Sequence, residues 1–563
     1  MGSILVAMSD GMEEGRTEAA PPAEGTAPAA MLGTPAQEGR RVARATGMLG
    51  GLTVLSRLLG LVRDMGQAAV LGTGLSADAF TLAFIVPNII RRLFGESTVS
   101  AAFVPTYTET LVRESREDAI TLGRRVVTFV FCALSVVVGV GILLAPQIVS
   151  VFAPGFRTVA GKAELTAGLL RLLFPYILFV GTAAVYGGIL HSHRHFLSPA
   201  LAPIAFNFAA ISGLFLLGRH VFPQMPVWGY AIGVATGGLL QLLVMLPAAR
   251  SRGFSFRPSF RWRSKKVRRV GRLALPALIG LIAAEVNILV DQMIASLLEP
   301  GSVAALSYGN RIMYLPLGAF AVALATALLP TLSRQTAMGK LDEARETLSR
   351  ATLGLAMLLL PTTLCLIFLA EPIVSVVLAR GAFSARSVAL TSTALLFYAP
   401  ALVSYGGVRV TVPVFYALKN TRTPVKISVF CMGLNIILNI AFTQIFLHTG
   451  LARPLAGLAL ASSVSALVNF LALRSRISRR LGRGPKGSGR AWAGVAAAFA
   501  GTAVVVWRLS LWVDGALEAS VWAGAGAVVA TAAASIAAFS AVSIALGGRQ
   551  ARALVSMVLR RGR

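Results

Sequence analysis

The sequence predicts an all-α polytopic membrane protein: fourteen transmembrane helices, arranged as two pseudo-repeated six-helix lobes plus two extra helices. Three observations carry that prediction. The 563 residues are 56% hydrophobic and only 13% charged, where a soluble domain holds roughly 25% charged residues. Apolar runs long enough to cross a bilayer, about 20 residues each, recur along the whole chain. Short matching stretches also return at a nearly constant offset.

In chain order, residues 1–40 are rich in Pro, Ala, Gly and Glu and read as a disordered cytoplasmic tail. The apolar stretch Ile4–Ala7 is too short for a signal-peptide core. Apolar runs then lie near 46–71, 79–105, 124–153, 164–190, 199–218 and 228–248, an N-lobe spanning 41–249. A basic cytoplasmic linker fills 250–270. Runs near 271–297, 303–332, 347–378, 388–417, 425–447 and 455–473 make a C-lobe over 271–476. Two further runs, 491–513 and 520–546, lie in 477–563 with a basic tail. Several runs contain Pro or Gly, which membrane helices accept when neighbours satisfy the freed backbone groups.

Loop charges orient the bundle. The formal net charge is +29, and in a soluble chain that would suggest nucleic acid. Here the bases sit between apolar runs, as in Arg250, Arg252, Arg257, Arg261, Lys265, Lys266, Arg268 and Arg269, and again in Arg474, Arg476, Arg479, Arg480 and Arg490. They read as topogenic charges that touch anionic membrane lipids, with no nucleic-acid partner. The turns at 71–78, 298–302 and 514–519 hold no Lys or Arg. The positive-inside rule therefore places both termini in the cytoplasm, which an even number of spans allows. Cys132, Cys365 and Cys431 are far apart in apolar segments and show no metal spacing. His191, His193 and His195 follow a helix end and read as an interfacial loop, so no metal site is assigned.

The repeat rests on three matches. Pro105-Thr106 ends the second span as Pro330-Thr331 ends the eighth, and Ser198-Pro199 opens the fifth as Thr423-Pro424 opens the eleventh. Both prolines are 225 residues apart. Gly229 and Ala231 match Gly457 and Ala459 at 228. Both halves start from the cytoplasm, so the repeat is parallel, with its axis along the membrane normal.

The chemistry lies in charges buried in oil. Arg57, Arg63, Asp64, Arg91, Arg92 and Glu96 sit in the first two apolar runs and Arg311 in the eighth. A charge at bilayer depth costs ~2.5–3.5 kcal/mol at a helix centre on insertion scales and is tolerated where it meets a partner or a water-filled cavity. A helix rise of 1.5 Å per residue puts Arg57 roughly 17 Å, Arg91 roughly 18 Å and Arg311 roughly 12 Å deep. Guanidinium is always charged, and its planar fork matches phosphate oxygens. Arg57, Arg91 and Arg311 converging in one cavity could hold a pyrophosphate, with carboxylates limiting repulsion in the empty state. Arg57 and Asp64, seven apart, fall on nearly one face, and Arg92 and Glu96, four apart, can pair directly. Asp78 reads as the N-cap of the second helix.

A second polar set comprises Glu285, Asn287 and Asp291 in the seventh span and Asn435 and Asn439 on one face of the eleventh. Oxygen ligands of this type suit a monovalent cation or a proton relay, and interhelical hydrogen bonding is the competing reading. No Walker-type loop is present, so the energy is expected from an ion gradient or the membrane potential. No cofactor is called for beyond such a coupling ion.

Several stretches resemble the MurJ/MviN lipid II flippase family of the multidrug/oligosaccharidyl-lipid/polysaccharide exporter superfamily. They are Ser56 to Asp64, Asp78-Ala79-Phe80, Pro87 to Glu96, Ala102 to Pro105, Asn310 to Gly318, and Leu329 to Ser333. The resemblance covers roughly residues 40–545. It implies fourteen helices in a bacterial cytoplasmic membrane and alternating access. It also implies export of undecaprenyl-pyrophosphate-linked peptidoglycan precursor from the inner to the outer leaflet, for cell-wall synthesis. Arg57, Arg63, Arg91 and Arg311 would then be the pyrophosphate-binding arginines, and Asp64 and Glu96 the supporting acids. Asp291, Asn435 and Asn439 would be a cation site, although Asn439 stands where an acidic residue can occur. The last two helices would hold the polyprenyl tail. The expected partners are lipid II and the peptidoglycan synthesis machinery, and the expected state is a monomer. An exporter of another polyprenyl-linked oligosaccharide is the alternative. A cation-coupled drug antiporter would want a carboxylate-dominated cavity, and a membrane glycosyltransferase would want a catalytic domain that loops of at most about 22 residues cannot supply.

Overall fold

The computed structural model describes residues 35–93, 102–261, 264–482 and 488–560, and every regular element among them is helical. The chain forms two units, Met1–Gly51 and Leu52–Arg563. Of the predicted tail, residues 1–34 lie outside the described residues. Helix begins at Pro35, inside the stretch expected to be disordered, because Pro is accommodated in a first turn and Gln, Glu and Arg follow it.

The helices are α1 (Pro35–Leu71), α2 (Leu75–Arg91), α3 (Val104–Arg113), α4 (Arg116–Leu143), α5 (Ala145–Phe152), α6 (Lys162–Ser192), α7 (Leu197–Ser212), α8 (Gly218–His220) and α9 (Val227–Arg250). They continue as α10 (Lys265–Ser296), α11 (Ser302–Ala337), α12 (Leu341–Phe368), α13 (Ala370–Leu378), α14 (Ala385–Tyr398) and α15 (Ala401–Ala417). The last are α16 (Arg422–Thr449), α17 (Leu455–Leu481), α18 (Ser488–Ala519) and α19 (Val521–Arg560). Each predicted apolar run corresponds to one helix or a broken pair. Among the described residues, nine helices are long and apolar enough to cross a membrane, ten if α14 and α15, bent by 45°, form one span. The predicted fourteen exceed that number partly because α1 carries Arg57, Arg63 and Asp64 in its apolar stretch and α2 has only 17 residues.

Breaks occur where the local chemistry asks for them. Pro146 sits in the first turn of α5, after the break at Leu144, and Pro372 in the first turn of α13, after the break at Leu369. Those breaks are 225 residues apart, the offset of the sequence repeat. The helix starts at Leu197 and Arg422 share the same spacing. The α4 start is capped by Ser115, whose hydroxyl accepts from the Asp118 amide, and the α10 start by Ser264, which accepts from Val267.

In the first half, α6 packs on α2, α4 and α9, and α7 on α9. In the second, α15 and α17 pack on each other, with α11, α12, α14 and α16 around them. The pair α18–α19 packs on itself and against α12. Behind α1 an aromatic stack joins Phe80 to Tyr230 (centroids 4.4 Å), Phe84 to Tyr176 (5.8 Å) and Tyr176 to Phe206 (5.7 Å). Such pairs contribute about 0.5–1.5 kcal/mol each beyond burial, which fixes the wall against which α1 stands.

The two halves close on each other at the end that holds the turns 71–78 and 298–302, which lack Lys and Arg. The Ala382 amide donates to the Ala69 carbonyl (2.7 Å), and Thr73 donates to Ser387 (2.8 Å). The approach needs glycine: Gly381 has φ +57°, and a Cβ there would lie 2.3 Å from the Ala69 oxygen.

Candidate functional site

Just below that seal, α1, α11 and α13 enclose a cavity of about 290 Å³, lined by Arg57, Asp64, Tyr308, Arg311 and Tyr314 among others. Asp64 lies five residues before Ala69 of the seal, about 7 Å along the helix. Gly60 and Gly318 keep the space open: a Cβ at Gly318 would meet nothing within 4 Å.

One carboxylate organises the cavity wall. Asp64 Oδ1 accepts from Arg63 Nη2 (2.9 Å) and Nε (3.2 Å) and from Arg311 Nη1 (2.8 Å). Arg63 also donates to Asn207 Oδ1 (3.1 Å) and stands 5.5 Å from the Phe206 ring centre. Asn207 in turn donates to the Ser56 carbonyl, tying α7 to α1. Arg311 leans toward Gln67 Oε1 (3.4 Å), whose orientation is fixed by the Tyr230 hydroxyl (3.2 Å). Arg57 has no hydrogen bond or ion pair among the described residues and is exposed to the cavity. Two guanidiniums, Arg63 and Arg311, therefore share one acid, and a third, Arg57, is unengaged among the described residues. The remaining positive charge is what an incoming anion would meet, in a setting where charge-assisted hydrogen bonds are strong.

The other sequence-selected residues fall elsewhere. Arg91 donates to Asn88 Oδ1 (2.9 Å) on its own helix and does not line this cavity. Glu96 lies outside the described residues. Arg92 pairs with Glu285 of α10 at 2.5 Å, where the sequence had offered Glu96 as its neighbour. Glu285 stands 193 residues away in the chain, beyond the reach of i,i+4 reasoning. Asp78 is not the N-cap of α2, which starts after Gly74. Its fully buried carboxylate accepts from Lys162 Nζ (2.7 Å) and from the Gly301 (2.7 Å) and Ala304 (2.8 Å) amides, so it caps α11 across the seal.

Sequence reasoning missed Arg409, an exposed arginine in α15. The signal was present: a lone arginine inside the apolar run 388–417. It missed Asn207 and Gln67 for a different reason, since amides in apolar helices show nothing of their partners.

The second polar set does assemble. Asn439 Nδ2 donates to Asp291 Oδ1 (2.6 Å) and to Asn435 Oδ1 (3.0 Å). Turning the Asn435 amide end for end lets its nitrogen donate to Asn287 Oδ1 (2.9 Å) and Asp291 Oδ1 (3.2 Å). Asn435 and Asn439 are 2% and 0% exposed, and two buried oxygens here, Asn439 Oδ1 and Thr443 Oγ1, have no partner among the described residues. A carboxylate with orphaned amide and hydroxyl oxygens fits a hard monovalent cation. At the basic end, the Tyr107 hydroxyl meets His193 Nε2 (3.2 Å), and Arg252 reaches His195 Nδ1 (2.9 Å). Burial and the neighbouring Arg252 hold both imidazoles below their usual pKa.

Repeated helical bundles that meet over an internal charged cavity, sealed at one end, define a membrane transporter. The lipid II flippase MurJ family matches residues 67–530, and the chain belongs to that family. It is 33% identical over 441 residues to a probable lipid II flippase MurJ of Vibrio cholerae, covering 77% of this chain and 82% of that one. It is 31% identical over 437 residues to the lipid II flippase MurJ of Burkholderia cenocepacia, covering 77% and 84%. Among solved structures, a lipid II flippase MurJ in an inward closed conformation superposes with a TM-score of 0.71 at 24% identity, over 86% of this chain and 97% of that one. An inward-facing multidrug resistance transporter, itself described as of the MOP superfamily, gives a TM-score of 0.61 at 17% identity, over 75% of this chain and 95% of that one. Both likenesses are of fold.

Proposed function

We propose that this protein flips lipid II, the undecaprenyl-pyrophosphate-linked peptidoglycan precursor, from the inner to the outer leaflet by alternating access. Family membership supports the cargo. The observation that carries the reading is the cavity itself: Arg57 and Arg311 line it from the two halves, and Arg311 shares the carboxylate of Asp64 with Arg63. Loop charges put the sealed end outside and both termini in the cytoplasm, so the cavity lies on the side where the precursor is made. Arg57 makes the first contact with the diphosphate, and Arg311 exchanges part of its bond to Asp64 for the incoming oxygens. Asp64 keeps Arg63 and Arg311 together while the cavity is empty. Arg63 and Arg91 are the further pyrophosphate-binding arginines, and Glu96, like Asp64, is a supporting acid. Helices α18 and α19, rich in Ala and Gly, hold the polyprenyl tail. Outward opening requires the contacts of Asp78 with the Gly301 and Ala304 amides to part, while its pair with Lys162 stays within one lobe.

Asp291, Asn435 and Asn439 hold the coupling cation or proton, which supplies the free energy for resetting the cavity. The chain works as a monomer in the bacterial cytoplasmic membrane, among anionic lipids and beside the peptidoglycan synthesis machinery. The test is reconstitution in liposomes with lipid II, scoring translocation for wild type and Arg311→Ala. Loss of transport by a variant that still inserts supports the reading, and full activity in the variant overturns it.

A further inference from the structure

A second basic cleft lies far along the chain from the central cavity and shares no residue with it. It is a cavity of about 100 Å³ between α12, α17 and α18, bordered by Arg345, Ser349, Arg474, Gly482 and Trp492. Arg345 projects from the first turns of α12, and its Nε is buried without a partner. Its terminal nitrogen meets Asp342 (2.7 Å), but that carboxylate is 87% exposed, so water weakens the pair. Arg474 ends the apolar run of α17 and has no acidic partner among the described residues. Its guanidinium lies 5.4 Å from the Trp492 ring centre, a cation–π contact that fixes its direction. Gly482 has φ +83°, and a Cβ there would stand 3.0 Å from Arg345 Nη1, so glycine makes room for the arginine. The Ser349 hydroxyl is also without a partner among the described residues. Buried Ile477 and Leu481 form an apolar floor.

We propose that this cleft binds the phosphate-bearing headgroup of an anionic phospholipid of the cytoplasmic leaflet. Two guanidiniums from different helices supply the forks a phosphodiester takes. Depth and floor select a lipid over a soluble phosphate: Arg474 and Trp492 flank apolar runs at the level where arginine and tryptophan meet headgroups. The assignment rests on the orientation read from loop charges and not on the identity of the transported cargo. Occupancy would clamp α18, and with it the α18–α19 pair, onto α12.

The experiment is equilibrium binding of labelled phosphatidylglycerol and phosphatidylcholine to the full chain in neutral detergent. It compares wild type, Arg345→Gln/Arg474→Gln and Arg476→Gln, the last an exposed arginine on the same helix end that does not border the cleft. Wild type should prefer phosphatidylglycerol by about tenfold, the double variant should bring the ratio near unity, and Arg476→Gln should keep it. If the double variant does not fold, Arg474→Gln alone carries the test, with a fall of about threefold expected. An unchanged preference in the cleft variants overturns the proposal. So does an equal loss in Arg476→Gln, which would mean diffuse surface charge, and so does full displacement of the lipid by excess inorganic phosphate. Lipid II transport is scored separately, so its failure would strike the proposed cargo and leave this site standing.

Discussion

Asp64 and Asp291 occupy matching places in the two halves, 227 residues apart on the first helix of each lobe. Their neighbours Asn207 and Asn435 match as well, 228 apart. Yet the surroundings differ. Asp64 accepts from Arg63 and Arg311, while Asp291 accepts from the amide of Asn439. In the first half a carboxylate is outnumbered by guanidiniums and the local charge is positive. In the second no Lys or Arg bonds the carboxylate among the described residues, and oxygens stand unpartnered beside it. One scaffold position, an aspartate in both halves but differently surrounded, stands among guanidiniums in the first and beside unpartnered oxygens in the second. The repeat fixes where the carboxylate stands, and its neighbours fix what it attracts.

The largest expected effect contrasts the two directly. Asp64→Asn leaves Arg63 and Arg311 facing each other without an acid and should lower stability by about 3 kcal/mol, the range for breaking a buried pair. Asp291→Asn places an amide among amides and should cost less than about 1 kcal/mol. Thermal unfolding in detergent compares them, and equal costs would break the contrast. Next, Gly381→Ala forces a Cβ toward the Ala69 oxygen at a left-handed residue and should weaken the seal between the halves by about 1–2 kcal/mol. Faster labelling of a cysteine placed at Ser387 would register it. Arg57→Lys keeps the charge but loses the planar fork, so transport should fall about tenfold with unfolding unchanged, because Arg57 holds no other group.

The smallest effect is in pH. His193 and His195 have folded pKa values below 6.5, so below that value the unfolded chain binds more protons than the folded one. Stability should therefore be full above pH 6.5 and decline as pH falls below it. His195→Gln should flatten that decline in unfolding measured from pH 7.5 to 5.

The helices and the repeat were legible in the sequence because apolar runs and proline offsets are local signals. Breaks inside a run, at Leu144, Leu369 and Ala399, were not separated from continuous spans, since a helix pair of constant hydropathy looks like one span. The arginines of the cavity were legible as charges out of place. Their partners were not: Arg92 meets Glu285 and Asp78 meets Lys162 and the α11 amides, and such distant pairings are invisible to i,i+4 spacing. Arg91 was grouped with Arg57 by depth and by resemblance, and the structure adds a bond to Asn88 on its own helix, which depth does not reveal.

The most direct test of the excess positive charge is lipid II binding to the full chain in nanodiscs at constant salt. It compares wild type with Arg57→Gln, Arg311→Gln and Asp291→Asn. Each arginine variant should bind at least about tenfold more weakly, while Asp291→Asn binds as wild type. Arginine variants with wild-type affinity would contradict the account.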